Sequence, residues 1–184
     1  IRGGLRRRMR LPLLGATLAL LCAVIGLEYS SGAFRAEFSG HPDEAAHYVT
    51  GLMVRDYIAA GFPWPALGFA DHYYVHYPKV AIGHWPPFFY VVQAAWTLVL
   101  SPSRISILLL LALLSVIVAA RLYLCLRGEC GELIAAGMAL LFVSLPDVQR
   151  FTHMVMSEML VILLVFSATL VYGKFLEKPG WRGS

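Results

Sequence analysis

The sequence predicts an all-α, polytopic membrane protein with about four transmembrane helices. Of its 184 residues, 59% are hydrophobic and only 14% are charged, a balance that ordinary soluble domains do not have. Apolar stretches recur along the chain and approach the roughly 20 residues needed to cross about 30 Å of hydrocarbon. Short basic segments separate these stretches, as is typical of the loops between transmembrane helices.

Four stretches are predicted to span the membrane, at residues 11–29, 105–126, 131–147 and 158–173. The first follows the basic triplet Arg6-Arg7-Arg8, as the apolar core of a signal peptide would. Its apolar run is long for a signal peptide, however, and Ser30-Ser31-Gly32-Ala33 is a weak cleavage site. We therefore interpret this stretch as a retained membrane anchor.

The distribution of arginine predicts the orientation. Arginines precede the first span, so the N-terminus is expected in the cytoplasm and residues 30–104 in a long extracytoplasmic loop. Within this loop, residues 86–100 would form a helix of only about 22 Å, and Gln93 lies in its middle. If residues 86–100 form a surface or re-entrant helix, Arg121 and Arg127 fall on the cytoplasmic side, as the positive-inside rule favours. We therefore predict a juxtamembrane helix here.

An acidic pair opens another predicted juxtamembrane helix, over about 42–60. Pro42, Asp43 and Glu44 suit a first helical turn, where carboxylates meet the positive end of the helix dipole. At about 100° per residue, Asp43, His47 and Thr50 share a face that is predicted to look into an aqueous cleft. The opposite face is predicted to lie on lipid or protein, and it comprises Ala45, Tyr48, Val49 and Leu52. Acids at a helix start often serve only as caps, so a purely structural role stays an open alternative.

The rest of the loop is rich in histidine and aromatic residues. Five of the six histidines lie there, namely His41, His47, His72, His76 and His84. Two interpretations stay open: an interfacial aromatic belt, or a pocket for a sugar or a lipid phosphate. A zinc site made from the histidines and Asp71 is disfavoured, because the run that ends at Tyr77-Pro78 is predicted to be extended or irregular. No metal site is predicted, although a divalent cation stays an open alternative.

Charge and cysteine content are consistent with membrane lipid as a partner, and they indicate neither nucleic-acid binding nor a disulfide framework. The formal net charge of +4 is explained by the arginines around the spans, so nucleic acid is not predicted as a partner. Cys22 and Cys125 lie within or at the end of apolar stretches, and Cys130 lies in a short loop predicted to be cytoplasmic. These positions do not indicate a disulfide framework.

The order of motifs resembles that of a known enzyme family. An anchor span is followed by Asp43-Glu44 at a helix start, and then by Tyr77-Pro78-Lys79 and by His84-Trp85-Pro86-Pro87-Phe88-Phe89-Tyr90. A span led by Arg104 comes next. This order resembles the N-terminal part of class C glycosyltransferases, in particular the superfamily of protein O-mannosyltransferases and bacterial lipid-A aminoarabinose transferases. The resemblance covers the chain from the first span to Glu158.

The resemblance implies a large multispan enzyme of the bacterial inner membrane, of which this chain is expected to be the N-terminal portion and inactive alone. Such an enzyme transfers a sugar from a polyprenyl-phosphate donor to a protein, lipid or glycan acceptor on the extracytoplasmic side. The family's catalytic base maps onto Asp43, with Glu44 as its neighbour. Its donor phosphate ligand maps onto His84 or Lys79, where this sequence departs from the family pattern. Arg104, which leads the next span, is a further candidate for binding the donor phosphate. A possible second-loop site comprises Asp147, Arg150 and Glu158, which lie in the second outer loop.

The residue types fit this chemistry. An acceptor hydroxyl that attacks an anomeric carbon must lose a proton, which a carboxylate can accept. The departing phosphate needs cationic partners more than an acid, and a single displacement with one carboxylate inverts the anomeric centre. A transporter or flippase-like lipid binder that uses the acids and histidines of the outer loop is the alternative, and a non-catalytic scaffold is a third. Transport is disfavoured because functional charges of transporters usually lie near the middle of the membrane.

Overall fold

The computed structural model describes residues 2–38 and 40–177, and within them every regular element is a helix. Eight helices follow one another: α1 (Arg2–Ser30), α2 (Pro42–Ala59), α3 (Ala66–His76), α4 (Phe88–Val99), α5 (Arg104–Cys130), α6 (Glu132–Ser144), α7 (Pro146–Thr152) and α8 (Glu158–Glu177). No strand occurs in the described residues, so the predicted all-α class is confirmed.

The central helix is α5, which packs against α1, α4, α6, α7 and α8. Ser103 caps its start, because the Ser103 hydroxyl accepts a hydrogen bond from the Ser106 N–H at 3.3 Å. Gly131 ends it with a φ of 82°, a conformation that glycine adopts without strain. In the interior of the bundle, Val24 of α1 packs in one apolar cluster with Val116 of α5 and Ala139 of α6. The long helices thus share a core around α5.

Two helices are long and apolar enough to cross a membrane by themselves, Arg104–Cys130 and Glu158–Leu176. Together α6 and α7 pass the same test, but they are bent by 58° at the break between them. The tested part of α1, Gly15–Ser30, is a shorter apolar helix, as is α4. The described residues therefore contain two or three helices that fit a membrane span, which agrees with a helical membrane protein but leaves the number four as a prediction.

The helix predicted over residues 131–147 is interrupted near its end. Helix α6 stops at Ser144, Leu145 is extended with a ψ of 134°, and α7 begins at Pro146. The cause is Pro146, which has no N–H to continue the helix and whose ring disfavours helical geometry in the preceding residue. The prediction of one continuous helix is corrected accordingly.

The paired helices α2 and α4 cover the stretches for which juxtamembrane helices are predicted. They approach closely because Gly51 leaves room for the side chain of Gln93, which is fully buried. The Gln93 amide nitrogen donates to the carbonyl of Tyr48 at 3.1 Å. This pair is joined to α5 by the Trp96 indole N–H, which donates to the carbonyl of Ser106 at 2.9 Å. The two helices thus lie at the Arg104 end of the bundle.

Helix α3 occupies a stretch that is predicted to be extended or irregular, and that prediction is wrong. The helix continues to His76, and the rings of His72 and His76 lie 4.8 Å apart. Its inner face is formed by Ala70, Phe69 and Tyr73, which pack in a cluster with Met53 of α2. Aromatic residues have only a weak local preference for helix, and this contact with α2 supplies the missing stabilisation.

Candidate functional site

The two carboxylates of the acidic pair at the start of α2 lie in different surroundings. The side chain of Glu44 is fully buried, whereas that of Asp43 is 43% exposed. Successive residues on a helix point about 100° apart, so neighbours in sequence can face different surroundings. The two carboxylates therefore have different partners and different chemical possibilities.

Glu44 is held in a buried ion pair with Arg104. Its Oε1 atom accepts from Nε of Arg104 at 2.8 Å and lies 2.7 Å from Nη2, while the side chain of Arg104 is only 9% exposed. The backbone N–H of Val155 donates to the same Oε1 atom at 3.1 Å. Such a paired and hydrogen-bonded carboxylate is well compensated for its loss of water.

The remaining N–H groups of Arg104 are directed to backbone carbonyls. Nη1 donates to Ala33 at 2.6 Å and to Ala36 at 3.0 Å, and Nη2 donates to His153 at 3.0 Å. Of the five N–H donors of a guanidinium, four make hydrogen bonds within the protein, and Nη2 also lies 2.7 Å from the Glu44 carboxylate. Arg104 therefore joins the segment after α1, the start of α2, the start of α5 and the segment before α8.

The resemblance implies that Arg104 binds the donor phosphate and that Glu44 acts beside the catalytic base. The geometry of the ion pair argues against both roles. Arg104 is poorly placed to bind a donor phosphate, because its side chain is only 9% exposed and four of its N–H groups are already hydrogen-bonded within the protein. Glu44 is likewise committed to Arg104 and Val155. We therefore assign both residues a positioning role.

Asp43 is the accessible member of the pair. The residue before α2, His41, caps the helix, and its Nδ1 atom accepts a hydrogen bond from the Asp43 backbone N–H at 3.4 Å. The same Nδ1 atom lies 3.9 Å from Oδ2 of Asp43. A ring nitrogen that accepts a hydrogen bond is unprotonated, so we interpret this approach as a cap and not as an ion pair. The Asp43 carboxylate is thus open to an incoming hydroxyl group.

His47 lies one turn after Asp43, and its surroundings correct the predicted cleft-facing side of α2. Only 2% of His47 is exposed, because its ring is covered by Trp85 at 4.4 Å and by Phe89 at 5.9 Å between centroids. Its Nδ1 atom is hydrogen-bonded to the hydroxyl of Tyr90 at 3.1 Å. Burial lowers the pKa of His47, an effect that the nearby Asp43 carboxylate opposes. His47 is therefore a neutral, packed residue behind Asp43.

The face of α2 that bears His47 also anchors the loop between α3 and α4. The backbone N–H of Ala81 donates to the Thr50 hydroxyl at 3.1 Å, and four residues later Trp85 packs on His47. The loop therefore runs along α2 towards the Asp43 end. As a result His84, which is exposed and lies edge-on to Trp85, is brought to that end. Lys79 is also exposed but lies at the far end of the loop, next to the buried Val80.

Three candidates come from the predicted second outer loop, and they are less closely tied to this site. Asp147 and Arg150 are exposed on α7, and no hydrogen bond or ion pair among the described residues joins them to Asp43. Glu158 begins α8, and its Oε2 atom is buried without a hydrogen-bond partner in the described part of the chain. The segment before it is hydrogen-bonded to Arg104 through the carbonyl of His153 and to Glu44 through the N–H of Val155.

Glu28 is a buried carboxylate that the sequence analysis missed. It is fully buried near the end of α1, and neither carboxylate oxygen has a hydrogen-bond partner among the residues that the structure describes. Arg104 is close enough to interact with it electrostatically. The sequence does contain a signal that could have identified Glu28. It is an isolated acid at the end of an apolar stretch, where a charge is costly.

Metal-binding geometry does not occur in the described residues, where no group of three histidine, cysteine or acidic side chains could hold an ion. The fold and site define an all-helical protein with two or three helices able to cross a membrane and with a half-exposed carboxylate beside an aromatic cluster. Comparison of the chain with protein-family models, curated proteins and solved structures finds no match.

Proposed function

We propose that the chain is part of a glycosyltransferase that moves a sugar from a polyprenyl-phosphate donor to a protein, lipid or glycan acceptor. The observation that carries the proposal is the different exposure of the two adjacent carboxylates, Asp43 and Glu44. Asp43 is 43% exposed beside an aromatic cluster, while Glu44 is buried and paired with Arg104. One accessible carboxylate on a rigid support is what a direct displacement requires.

In the proposed reaction, Asp43 is the general base. The acceptor hydroxyl gives its proton to the Asp43 carboxylate while its oxygen forms a bond to the anomeric carbon of the donor. The bond between that carbon and the phosphate oxygen breaks, and polyprenyl phosphate leaves with the bonding electrons. Attack from the face opposite to the phosphate inverts the anomeric centre.

The departing phosphate is assigned to the loop between α3 and α4. His84 lies next to Trp85 at the Asp43 end of this loop, and Lys79 lies five residues before it. Both side chains are exposed, in contrast to Arg104, and a cation beside the phosphate stabilises the charge that develops there. Of the two, His84 is favoured by its position and Lys79 by its permanent charge.

The membrane arrangement belongs to the same proposal. With α1, α5, the α6–α7 pair and α8 as four spans, the arginines at the start of α1 lie in the cytoplasm. The Arg104 end of the bundle then faces the extracytoplasmic side, together with α2, α3 and α4. A bacterial inner membrane would supply the polyprenyl-phosphate donor.

The test is the Asp43→Asn variant of the full-length protein, reconstituted with polyprenyl-phosphate sugars. We expect transfer to fall by about 10²-fold to 10⁴-fold, the usual contribution of a general base. The matched control is Asp71→Asn, which changes an exposed acid of the same loop and is expected to retain transfer. Undiminished transfer by Asp43→Asn would remove Asp43 from the mechanism.

A second candidate, a transporter or flippase-like lipid binder, is favoured by one observation. Glu28 is a fully buried carboxylate without a hydrogen-bond partner among the described residues, and buried acids in membrane proteins often carry protons. This candidate predicts that the reconstituted protein moves labelled polyprenyl phosphate between leaflets and that Glu28→Gln stops the movement. The glycosyltransferase proposal predicts no such loss.

A further inference from the structure

Trp85 is a half-buried residue of the α3–α4 loop, and its indole packs on α2. Its ring centroid lies 4.4 Å from that of His47, and the two planes are tilted by 38°. Trp85 also packs against the main apolar cluster, which contains Phe89 and Tyr90. One side of the indole is thus covered by protein, while part of the side chain is accessible.

The support behind Trp85 is rigid. His47 is 2% exposed, and the Tyr90 hydroxyl is hydrogen-bonded to its Nδ1 atom at 3.1 Å. On another side, the ring of His84 meets the Trp85 ring edge-on at 4.5 Å between centroids. An aromatic group whose orientation is already fixed loses little conformational entropy when a ligand binds to it.

The indole is in contact with residues next to both chemical groups that the proposed reaction needs. It packs on His47, one helical turn after the Asp43 carboxylate, and it follows His84 directly in the chain. A sugar whose phosphate lies near His84 and whose anomeric carbon lies within reach of a hydroxyl near Asp43 would pass close to Trp85. An aromatic face attracts the weakly positive C–H groups of a pyranose ring.

We propose that Trp85 is the platform on which the sugar ring of the lipid-phosphate donor stacks. The inference rests on the proposed function, because it concerns the donor of the same reaction. It adds a specific residue for recognition of the sugar and separates that recognition from binding of the lipid phosphate. His47 and Tyr90 act as positioning residues, since they contact Trp85 or its support and not the sugar.

The test compares the binding of two lipids to the full-length protein in nanodiscs. The probes are polyprenyl phosphate without sugar and polyprenyl phosphate bearing mannose or glucose. We expect the wild type to bind the sugar-bearing lipids more tightly, and we expect Trp85→Ala to reduce that preference by about 10-fold, the effect of losing one aromatic stacking contact. Binding of the sugar-free lipid should not change.

Two further variants distinguish a loss of sugar recognition from a loss of folding. Trp85→Phe keeps a flat ring on His47 and is expected to retain most of the preference for the sugar-bearing lipids. Trp64→Ala removes a tryptophan between α2 and α3 that is 90% exposed, and it is expected to behave as the wild type. The unfolding temperature of each variant, measured in detergent, identifies any variant that is misfolded.

The outcomes separate the platform from the overall function. A Trp85→Ala protein that folds and keeps the full preference overturns the assignment of Trp85, as does a wild type that binds both kinds of lipid equally. If neither lipid binds to the wild type, the proposed glycosyltransferase function itself fails, and the platform fails with it.

Discussion

Asp43 and Glu44 are adjacent in the chain, but their side chains lie in different surroundings. Glu44 is fully buried against Arg104, while Asp43 faces outward beside His41. A buried carboxylate with an arginine partner is a poor proton acceptor, because protonation would leave the arginine charge uncompensated. The exposed neighbour has no such constraint. The proposed role of general base is therefore assigned to Asp43, whereas Glu44 is paired with Arg104 in the interior.

His47 makes the α2–α4 contact sensitive to pH. Burial lowers its pKa below the ordinary value of 6.5, so the folded protein favours the neutral ring. Its contribution to stability is therefore complete above pH 6.5 and decreases as the pH falls towards the lowered pKa. We expect the unfolding temperature to be lower at about pH 5.5 than at about pH 7.5. Burial also lowers the pKa of His153, which adds to the effect.

The His47→Gln variant isolates this contribution. Glutamine can accept the hydrogen bond of the Tyr90 hydroxyl but does not titrate. We expect a smaller difference between the two unfolding temperatures in His47→Gln than in the wild type. His72→Gln, on the exposed side of α3, is the control and should leave the difference unchanged. An equal pH effect in both variants would show that His47 is not responsible.

At the scale of helices, the pairing of α2 with α4 positions the candidate site. It depends on Gly51, because a Cβ atom at this position would overlap with the terminal amide of Gln93. Gln93 is fully buried and uses that amide to bond to Tyr48, so it has little freedom to move. The position of Trp85 and His47 relative to each other follows from this close approach.

We expect Gly51→Ala to lower the free energy of unfolding by about 1–3 kcal/mol, as overpacking does. Gly137→Ala in α6 is the matched control, since nothing lies within 4 Å of a Cβ atom there, and it should be neutral or slightly stabilising. In a Gln93→Ala background the cost of Gly51→Ala should nearly vanish. Denaturation in detergent measures all three, and an undiminished cost in that background would contradict the proposed overlap.

At the scale of the whole molecule, the positions of most helices could be predicted from the sequence, because a long apolar run is a local signal. The pairing of Glu44 with Arg104 could not, since the two residues are 60 positions apart and meet only when α2 docks on α5. The helical wheel gave the wrong side of α2 as the accessible one, because Trp85 and Phe89 cover the His47 ring and Tyr90 supplies a hydroxyl partner. Likewise α3 is helical because it packs on α2.

The Glu44–Arg104 pair is expected to hold the start of α2 against the start of α5 and the segment before α8. Glu44→Gln or Arg104→Met should each lower the free energy of unfolding by about 3–5 kcal/mol, because each leaves a buried charge without its partner. The double variant should cost less than the sum of the two single variants. Additive costs in such a double-mutant cycle would contradict a direct ion pair.

The most direct test of the central claim compares Asp43→Asn with Glu44→Gln in the full-length protein, with sugar transfer expressed per folded molecule. We predict that Asp43→Asn unfolds at the wild-type temperature but loses transfer, whereas Glu44→Gln unfolds at a lower temperature and retains transfer in its folded fraction. If Asp43→Asn keeps transfer and folded Glu44→Gln loses it, the roles assigned to the two carboxylates are wrong.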